Sequence, residues 1–273
     1  LDKIEEREKG SYGQIRLWGS IGWAAATAIV GYLITGREYS HIFIYGAVMF
    51  ALTLGIVLVF LPGNKKGNEG LKVSFKNVSE IFEHKEYMIL LPLLLLFGIG
   101  TVVIHNYYGI YLESIGASDQ QIGLAFSIQS ITELPFFFFG SYLVRKYKAI
   151  NIILFTIILI DILLPLYDFI NEPVFAMSLD VFHGACYGLF IVSVVEYVNQ
   201  VIPSHWRATG QSLFWAFYYG LGMVLGNFFT GSLMDVFSIG RVTLIGSVIV
   251  FIVFFLGMIF LKPRKPVVKT IAN

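Results

Sequence analysis

Ionisable side chains interrupt several long apolar stretches of this sequence. Glu133, Asp161 and Asp180 each lie near the middle of such a stretch, and His183 follows Asp180 by three residues. A spacing of three places two side chains on the same face of a helix. Because an ionised side chain at the centre of a bilayer costs roughly 3 kcal/mol or more, such groups mark polar sites and proton relays. We therefore take Glu133, Asp161, Asp180 and His183 as candidate proton-coupling residues.

For other polar residues in the apolar stretches, a structural role is an alternative to a functional one. Arg16 lies a few residues into its stretch, so its side chain can also extend to the inner membrane interface. Glu196 lies near the end of its stretch, and we expect it to reach interfacial water. His105 can equally serve in packing, and Asp161 in pairing two helices. Asn106 is a further candidate for binding a polar solute.

The composition indicates an all-α membrane protein. Of the 273 residues, 56% are hydrophobic and only 14% are charged, and the mean hydropathy is +0.74. Soluble domains carry roughly 25% charged residues. A helix needs about 20 apolar residues to cross the hydrocarbon core. The sequence contains eight such stretches, near residues 13–35, 41–62, 88–112, 120–143, 150–168, 174–199, 211–234 and 240–261.

Basic residues alternate between the two sides that these eight spans define. With the N-terminus inside, 17 of the 19 lysines and arginines fall in inner segments, and only Arg37 and Arg241 fall in outer ones. Cytoplasmic loops of membrane proteins carry this excess of positive charge. The pattern predicts a multi-pass protein of the cell (plasma) membrane with both termini in the cytoplasm.

The spans divide the chain into four predicted parts. Residues 1–62 hold two helices, residues 63–87 form a linker, residues 88–262 hold a six-helix bundle, and residues 263–273 form a cytoplasmic tail. Within the linker, Leu71, Phe75, Val78 and Phe82 share one helical face. We expect an amphipathic helix at the cytoplasmic surface of the membrane; a linker without such a helix is the alternative.

Three motifs resemble a known family of transporters. The stretch Tyr12–Trp23 resembles the fifth helix of lactose-permease-like and nucleoside:proton-symporter-like members of the major facilitator superfamily. Residues 203–213 resemble the loop before the eleventh helix in that group and the start of this helix. The segment Gly140–Lys148 resembles its cytoplasmic signature between helices eight and nine. The resemblance implies that the eight spans are helices five to twelve of a twelve-helix major facilitator fold, and that the chain is a fragment of a longer one.

The resemblance also implies roles for individual residues. Arg16 matches a substrate-contacting arginine of lactose permease, and Trp23 matches a tryptophan on which the sugar stacks. Glu133 matches a carboxylate linked to both substrate and proton, and His183 matches a histidine of that site. The chain departs from the pattern at Cys186, which replaces a glutamate. The substrate-binding candidates are therefore Arg16, Trp23, Glu133, His183 and Asn106.

Two further departures change the charge of the expected site. Asp161 stands where lactose permease has an arginine, and Asp180 stands where it has a lysine. The added negative charge puts a galactoside substrate in question. It favours a cationic or amine-bearing solute, or a role for Asp180 as the proton carrier.

These observations predict a secondary active transporter. We expect proton-coupled symport of a small polar solute, such as a sugar or nucleoside, by alternating access, with no cofactor, metal or nucleic-acid partner. The resemblance implies a monomer. Proton-driven efflux of a drug or metabolite, and a truncated product that does not transport, are the alternatives. The sequence lacks the G-x-G-D element of intramembrane aspartyl proteases and the phosphate loop of ATP-driven transport, so neither an enzyme nor an ATPase is expected.

Overall fold

The computed structural model describes residues 11–60, 81 and 83–261, and side chains from residue 16 onward. Within these residues the chain forms α-helices joined by short turns. They are α1 (Ser11–Ile34), α2 (Ser40–Phe60), α3 (Lys85–Asn106), α4 (Tyr108–Ser114), α5 (Asp119–Tyr147), α6 (Ala149–Leu163), α7 (Leu166–Phe169), α8 (Pro173–Val201), α9 (Arg207–Trp215), α10 (Met223–Met234) and α11 (Ile239–Phe260). A 3₁₀ turn, Ser204–Trp206, precedes α9, and a π-helical segment, Ala216–Gly222, joins α9 to α10.

Eight helical segments of the described residues are long and apolar enough to cross a membrane, which confirms the predicted number. Two of the predicted spans contain a short break in the helix. The span expected at 88–112 breaks at Tyr107, between α3 and α4. The span expected at 150–168 breaks at Leu164 and Pro165, between α6 and α7. Proline has no backbone N–H and disfavours helix at the preceding residue, which accounts for the second break.

The start of α5 is fixed by local hydrogen bonds. The Ser118 hydroxyl accepts from the Gln121 backbone N–H, and the Gln121 side chain accepts from the Ser118 N–H, which forms a capping box. Gly116 has a φ of +88°, a left-handed conformation that favours glycine and turns the chain between α4 and α5. These features set the register of α5, which carries Glu133.

Helix α5 lies between α1 and α8, and small residues allow close approach on both sides. A Cβ atom at Gly123 would collide with the backbone of α1 at Gly31. On the opposite side, Gly184 of α8 lies against the backbone of Gln129, and Gly188 lies against Glu133. In lipid, helices associate through such close contacts of small residues. The two glycines of α8 therefore hold residues 129–133 of α5, which we call the polar segment of α5, directly against that helix.

The remaining helices complete the bundle around α3. Helix α3 packs against the π-helical segment, α10 and α11, and α6 packs against α8 and α11. Gly222 and Gly226, four residues apart, lie against the α3 backbone near Leu95, Gly98 and Ile99. In contrast, no residue of α2 is buried within the described chain.

The proposed four-part division of the chain stays a prediction. Most of the linker, including Leu71, Phe75, Val78 and Phe82 of the expected amphipathic helix, lies outside the described residues, as does the tail at 263–273.

Candidate functional site

A line of polar contacts runs along the interface between α1 and α5. The Thr27 and Ser127 hydroxyls lie 2.9 Å apart, and the Ser127 hydroxyl also donates to the Ala24 carbonyl at 2.8 Å. About two turns further along, the Ser20 hydroxyl donates to Glu133 Oε2 at 2.9 Å. These contacts link α1 to α5 from the Gly31–Gly123 crossing to the middle of the bundle.

Arg16 approaches Glu133 through Ser20. Arg16 Nη1 lies 3.4 Å from the Ser20 hydroxyl, and the guanidinium carbon lies 5.2 Å from the centre of the Phe137 ring, one turn beyond Glu133. Glu133 is buried, with 5% of its surface exposed. The two charges therefore share a hydroxyl, and the aromatic ring provides a second favourable surface for the guanidinium.

Histidine and tyrosine side chains gather beside this carboxylate, and we call them the His–Tyr cluster: His105, His183, Tyr187, Tyr218 and Tyr219. The His105 ring lies 5.6 Å from that of His183 and 5.4 Å from that of Tyr187. His105 Nε2 is 3.0 Å from the Tyr218 hydroxyl, and the Tyr187 and Tyr219 hydroxyls are hydrogen-bonded to each other. The cluster joins α3, α8 and the π-helical segment through polar atoms.

The π-helical segment explains how two consecutive tyrosines enter one cluster. A π turn is wider than an α turn and is frequently found at functional sites. Tyr218 is fully buried and contacts His105, whereas Tyr219 is partly exposed and contacts Tyr187. The wider turn brings both hydroxyls towards the same group of helices.

Gln129 connects the His–Tyr cluster to the carboxylate. Its side-chain nitrogen contacts His183 Nδ1, and it precedes Glu133 by one helical turn on α5. Gly188, which packs on Glu133, follows Tyr187 directly. The polar segment of α5 thus has Arg16 and Ser20 on one side and the His–Tyr cluster on the other.

The structure separates Asp180 from His183, although they share a helix and a spacing of three. Asp180 Oδ2 accepts a hydrogen bond of 2.7 Å from the Tyr108 hydroxyl, on α4. His183 instead contacts Gln129, on α5. The two side chains therefore belong to different polar environments, a correction to their treatment as one pair.

The other predicted residues lie away from Glu133. Asp161 of α6 lies beside Ser247 of α11. Asn106 donates to the Asn227 side chain on α10 at 2.9 Å. Trp23 is 58% exposed and borders an apolar cavity of about 440 Å³ between α1, α2 and α5. Thus Arg16, Glu133, His183 and, through the His–Tyr cluster, His105 are the residues singled out from the sequence that meet around the polar segment of α5.

Sequence reasoning did not identify Ser20, Gln129, Tyr218 or Tyr219 as site residues. Ser20 follows Arg16 by four residues, and Gln129 precedes Glu133 by four. This spacing places each on the same helical face as a residue that was selected. The spacing was therefore an available signal for the first two, whereas the convergence of the two tyrosines depends on the π-helical segment.

Comparisons with known proteins agree with this architecture. A family model described as the MFS_1 like family matches residues 1–261. The uncharacterized transporter YwbF of Bacillus subtilis (strain 168) is 28% identical over 266 residues, which cover 96% of this chain and 65% of that protein. A maltose permease of Geobacillus stearothermophilus is 28% identical over 240 residues, covering 88% of this chain and 60% of that one.

A third relative, a nucleoside permease, has the same name as a transporter of solved structure. The nucleoside permease NupG of Escherichia coli (strain K12) is 21% identical over 246 residues, covering 84% of this chain and 58% of that protein. The crystal structure of the nucleoside transporter NupG superposes with a TM-score of 0.72 at 22% identity, covering 93% of this chain and 68% of that one. This likeness shows a shared fold. The chain spans 58–65% of the length of these three relatives.

Proposed function

Because the chain belongs to the MFS_1 like family of membrane transporters, we propose that it serves proton-coupled symport of a small polar solute by alternating access. The observation that carries the proposal is the buried Glu133 carboxylate at the α1–α5 interface, which accepts from Ser20 and lies near Arg16. An ionisable group in this position responds both to a proton and to the separation of the two helices.

The chemistry of coupling follows from the charge of this carboxylate. Ionised, it attracts the guanidinium of Arg16 and accepts strongly from the Ser20 hydroxyl. A bound proton removes the negative charge, which weakens both interactions and lowers the cost of pulling α1 away from α5. Because alternating access requires parts of a transporter to move against each other around a central site, protonation at Glu133 favours that movement.

The groups beside Glu133 fit a solute with hydroxyls and a planar ring. Gln129, His105 and Tyr219 are partly exposed and offer hydrogen-bond donors and acceptors, and the aromatic rings offer stacking surfaces. The names of two relatives, maltose permease and nucleoside permease, support a sugar or nucleoside as the solute class. We assign Arg16, Glu133 and His183 to solute binding.

Trp23 and Asn106 are proposed as outlying binding residues. The exposed indole of Trp23 lies on α1, one turn beyond Ser20, and Asn106 lies next to His105 at the end of α3. Asp161 is proposed as a second proton-coupling carboxylate because it is buried with one oxygen lacking a partner. We further propose that the protein is a monomer in the plasma membrane with both termini in the cytoplasm.

Uptake of labelled maltose and labelled uridine by cells that express the protein tests the proposal. We expect one of the two to enter in a manner abolished by a protonophore. Glu133→Gln should reduce this uptake roughly 10- to 100-fold, since a hydrogen bond to a charged group contributes about 1.5–3 kcal/mol. Glu196→Gln is the matched control, because Glu196 lies near the C-terminal end of α8 and accepts a hydrogen bond from Gln200 rather than from a residue of the site.

Two results would contradict the proposal. Protonophore-sensitive uptake at the native rate in Glu133→Gln would remove this carboxylate from the mechanism. Movement of solute only outward, measured in inside-out vesicles, would replace symport by proton-driven efflux.

A further inference from the structure

The apolar cavity of about 440 Å³ bordered by Trp23 lies between α1, α2 and α5. Its walls are formed mainly by apolar side chains, among them Ile34, Met49 and Phe126. The volume falls within the range of roughly 300–1,000 Å³ that is usual for ligand cavities. All three helices are long and apolar enough to cross a membrane, so the cavity lies at the depth of the hydrocarbon core. An apolar ligand from the bilayer therefore suits it better than a polar solute.

The length of the cavity matches one leaflet of a bilayer. Its lining extends along α1 from Trp23 to Ile34, and an α-helix rises roughly 16 Å over this distance, at about 1.5 Å per residue. The hydrocarbon core of a bilayer is about 30 Å thick, so one leaflet occupies about half of it. An acyl chain that enters at the Ile34 end, which we call the mouth of the cavity, thus ends near Trp23.

Two carboxylates lie at the mouth of the cavity. The Tyr39 hydroxyl, in the turn between α1 and α2, is 3.2 Å from Asp119 Oδ1 and 3.4 Å from Glu113 Oε1. Tyr39 and Asp119 both line the cavity. A phenol has one hydrogen, so it can donate to only one of these carboxylates at a time. The pair of negative charges can therefore accept from a further donor, and it attracts a cation.

A guanidinium lies beside the same mouth. Arg37 Nη1 donates to the Tyr45 hydroxyl at 2.7 Å, and Tyr45 lines the cavity on α2. An arginine side chain has five N–H donors and binds phosphate oxygens strongly. Glu38, next to Arg37 in the turn, accepts from the Ser40 hydroxyl. The mouth therefore offers a binding group for a phosphate as well as one for an ammonium.

We propose that the cavity binds a phospholipid with a primary amine in its headgroup. Its acyl chain fills the apolar space as far as Trp23, its phosphate binds Arg37, and its ammonium binds Asp119 and Glu113. A primary ammonium supplies three N–H donors, as a lysine side chain does. The quaternary ammonium of a choline headgroup has no N–H donor.

The bound lipid completes the packing of α2. No residue of α2 is buried within the described chain, and the cavity leaves space between this helix and its neighbours. An acyl chain takes the place of side chains there, and the headgroup joins the α1–α2 turn to the start of α5. This lipid site is independent of the proposed symport, because it lies beside the α1–α5 contact and does not include Glu133.

Native mass spectrometry of the purified protein tests the site with three phospholipids that share the same acyl chains. The probes are phosphatidylethanolamine, phosphatidylcholine, which lacks the N–H donors, and phosphatidylglycerol, which lacks the ammonium. We expect one bound phosphatidylethanolamine. It should be retained roughly 10- to 100-fold more strongly than the other two, the effect of a hydrogen bond to a charged group.

Two glycines of α2 provide a matched pair of variants for the acyl chain. Gly46 lines the cavity, and nothing lies within 4 Å of its Cβ position. Gly46→Leu therefore occupies the acyl-chain space without meeting protein at its Cβ, and it should remove the retained lipid. Gly55 also has nothing within 4 Å of its Cβ position but does not line the cavity. Gly55→Leu should retain the lipid as the wild type does.

Charge variants test the headgroup separately from the chain. Arg37→Gln should weaken phosphatidylethanolamine and phosphatidylcholine alike, since both carry the phosphate. The double variant Glu113→Gln, Asp119→Asn should lose the preference for phosphatidylethanolamine over phosphatidylcholine while it still binds both. Arg241→Gln, near the start of α11 and outside the cavity lining, is the control and should change neither.

Three results would overturn the lipid site. Equal retention of the three phospholipids by the wild type would remove the assignment of the headgroup. Equal retention of phosphatidylethanolamine by Gly46→Leu and Gly55→Leu would place the lipid outside the cavity. A lipid-free dimer that only Gly46→Leu dissociates would make the cavity an interface with a second copy of the chain. None of these results changes the proposed symport, which the uptake assay measures separately.

Discussion

Replacement of Gly123 by alanine tests whether close backbone contact holds α1 on α5. A Cβ at this position would lie 2.5 Å from the Thr27 carbonyl oxygen and 2.8 Å from Gly31 Cα, and ordinary contact begins at 3.4 Å. The helices must therefore separate by about 0.9 Å. Because both colliding atoms belong to the backbone, no side-chain rotation can relieve the contact. The hydrogen bonds that join Ser127 to Thr27 and to Ala24, of 2.9 and 2.8 Å, would then exceed 3.5 Å.

The expected loss of stability combines a steric cost, the lost hydrogen bonds and a gain in helix propensity. Overpacking costs roughly 1–3 kcal/mol, and hydrogen bonds between membrane helices add about 0.6 kcal/mol each. Alanine is a better helix former than glycine by about 1 kcal/mol, which offsets part of the loss. Gly22→Ala on α1 gives the same helical gain with no steric cost, since nothing lies within 4 Å of its Cβ position. The difference between the two variants therefore isolates the contact and its hydrogen bonds, and should be roughly 2–4 kcal/mol.

The single cysteine provides the assay. Cys186 is 7% exposed, so it reacts with a thiol-specific dye only as the protein unfolds. In detergent, Gly123→Ala should melt roughly 4–16 °C below Gly22→Ala, at about 2–4 °C per kcal/mol. Equal melting temperatures in the two variants would refute the close α1–α5 contact described above.

Two further predictions concern the ends of the helices. Hydrogen bonding to Asp119, burial, and the charges of Asp119 and Glu113 raise the pKa of Tyr39 above 10. The hydrogen bonds that the Tyr39 hydroxyl donates to Asp119 and Glu113 should therefore be present below pH 10 and be lost as the pH rises through the raised pKa. Ultraviolet titration of the wild type, with Tyr39→Phe as the reference, should show this ionisation. Asp119→Asn should lower the pH at its midpoint. For the topology, cysteines introduced at Arg37 and at Lys146, with Cys186 replaced by serine, should react with a membrane-impermeant maleimide from opposite sides of intact cells, only the first from outside. Labelling of both from the same side would contradict the predicted orientation.

The residues around Glu133 illustrate which parts of a site a linear pattern can reveal. Arg16, Glu133 and His183 were recognisable because charged or titratable groups are costly in apolar segments, and because their motifs resemble a known family. Ser20 and Gln129 carry no charge, so nothing in the hydropathy marked them. Their hydrogen bonds become visible only when α1, α5 and α8 are placed side by side.

The sequence by itself determined the class of protein, the number of spans and the approximate ends of the helices. These properties depend on apolar segment length and on local capping and breaking residues, which are all readable along the chain. Confirmation of eight spans in the described part follows from that locality. The local signal at Pro165 was also present, although the break at Tyr107 has no comparable signal in the sequence.

Only the tertiary structure decided which polar groups share an environment. Helical spacing placed Asp180 and His183 on one face, yet the neighbouring helices give one a tyrosine of α4 and the other a glutamine of α5. The tertiary structure also showed that Arg16 approaches Glu133 through a serine hydroxyl. The physical reason is that the partner of a buried polar group is set by which helices pack together, and glycines distant in sequence control that packing in three dimensions.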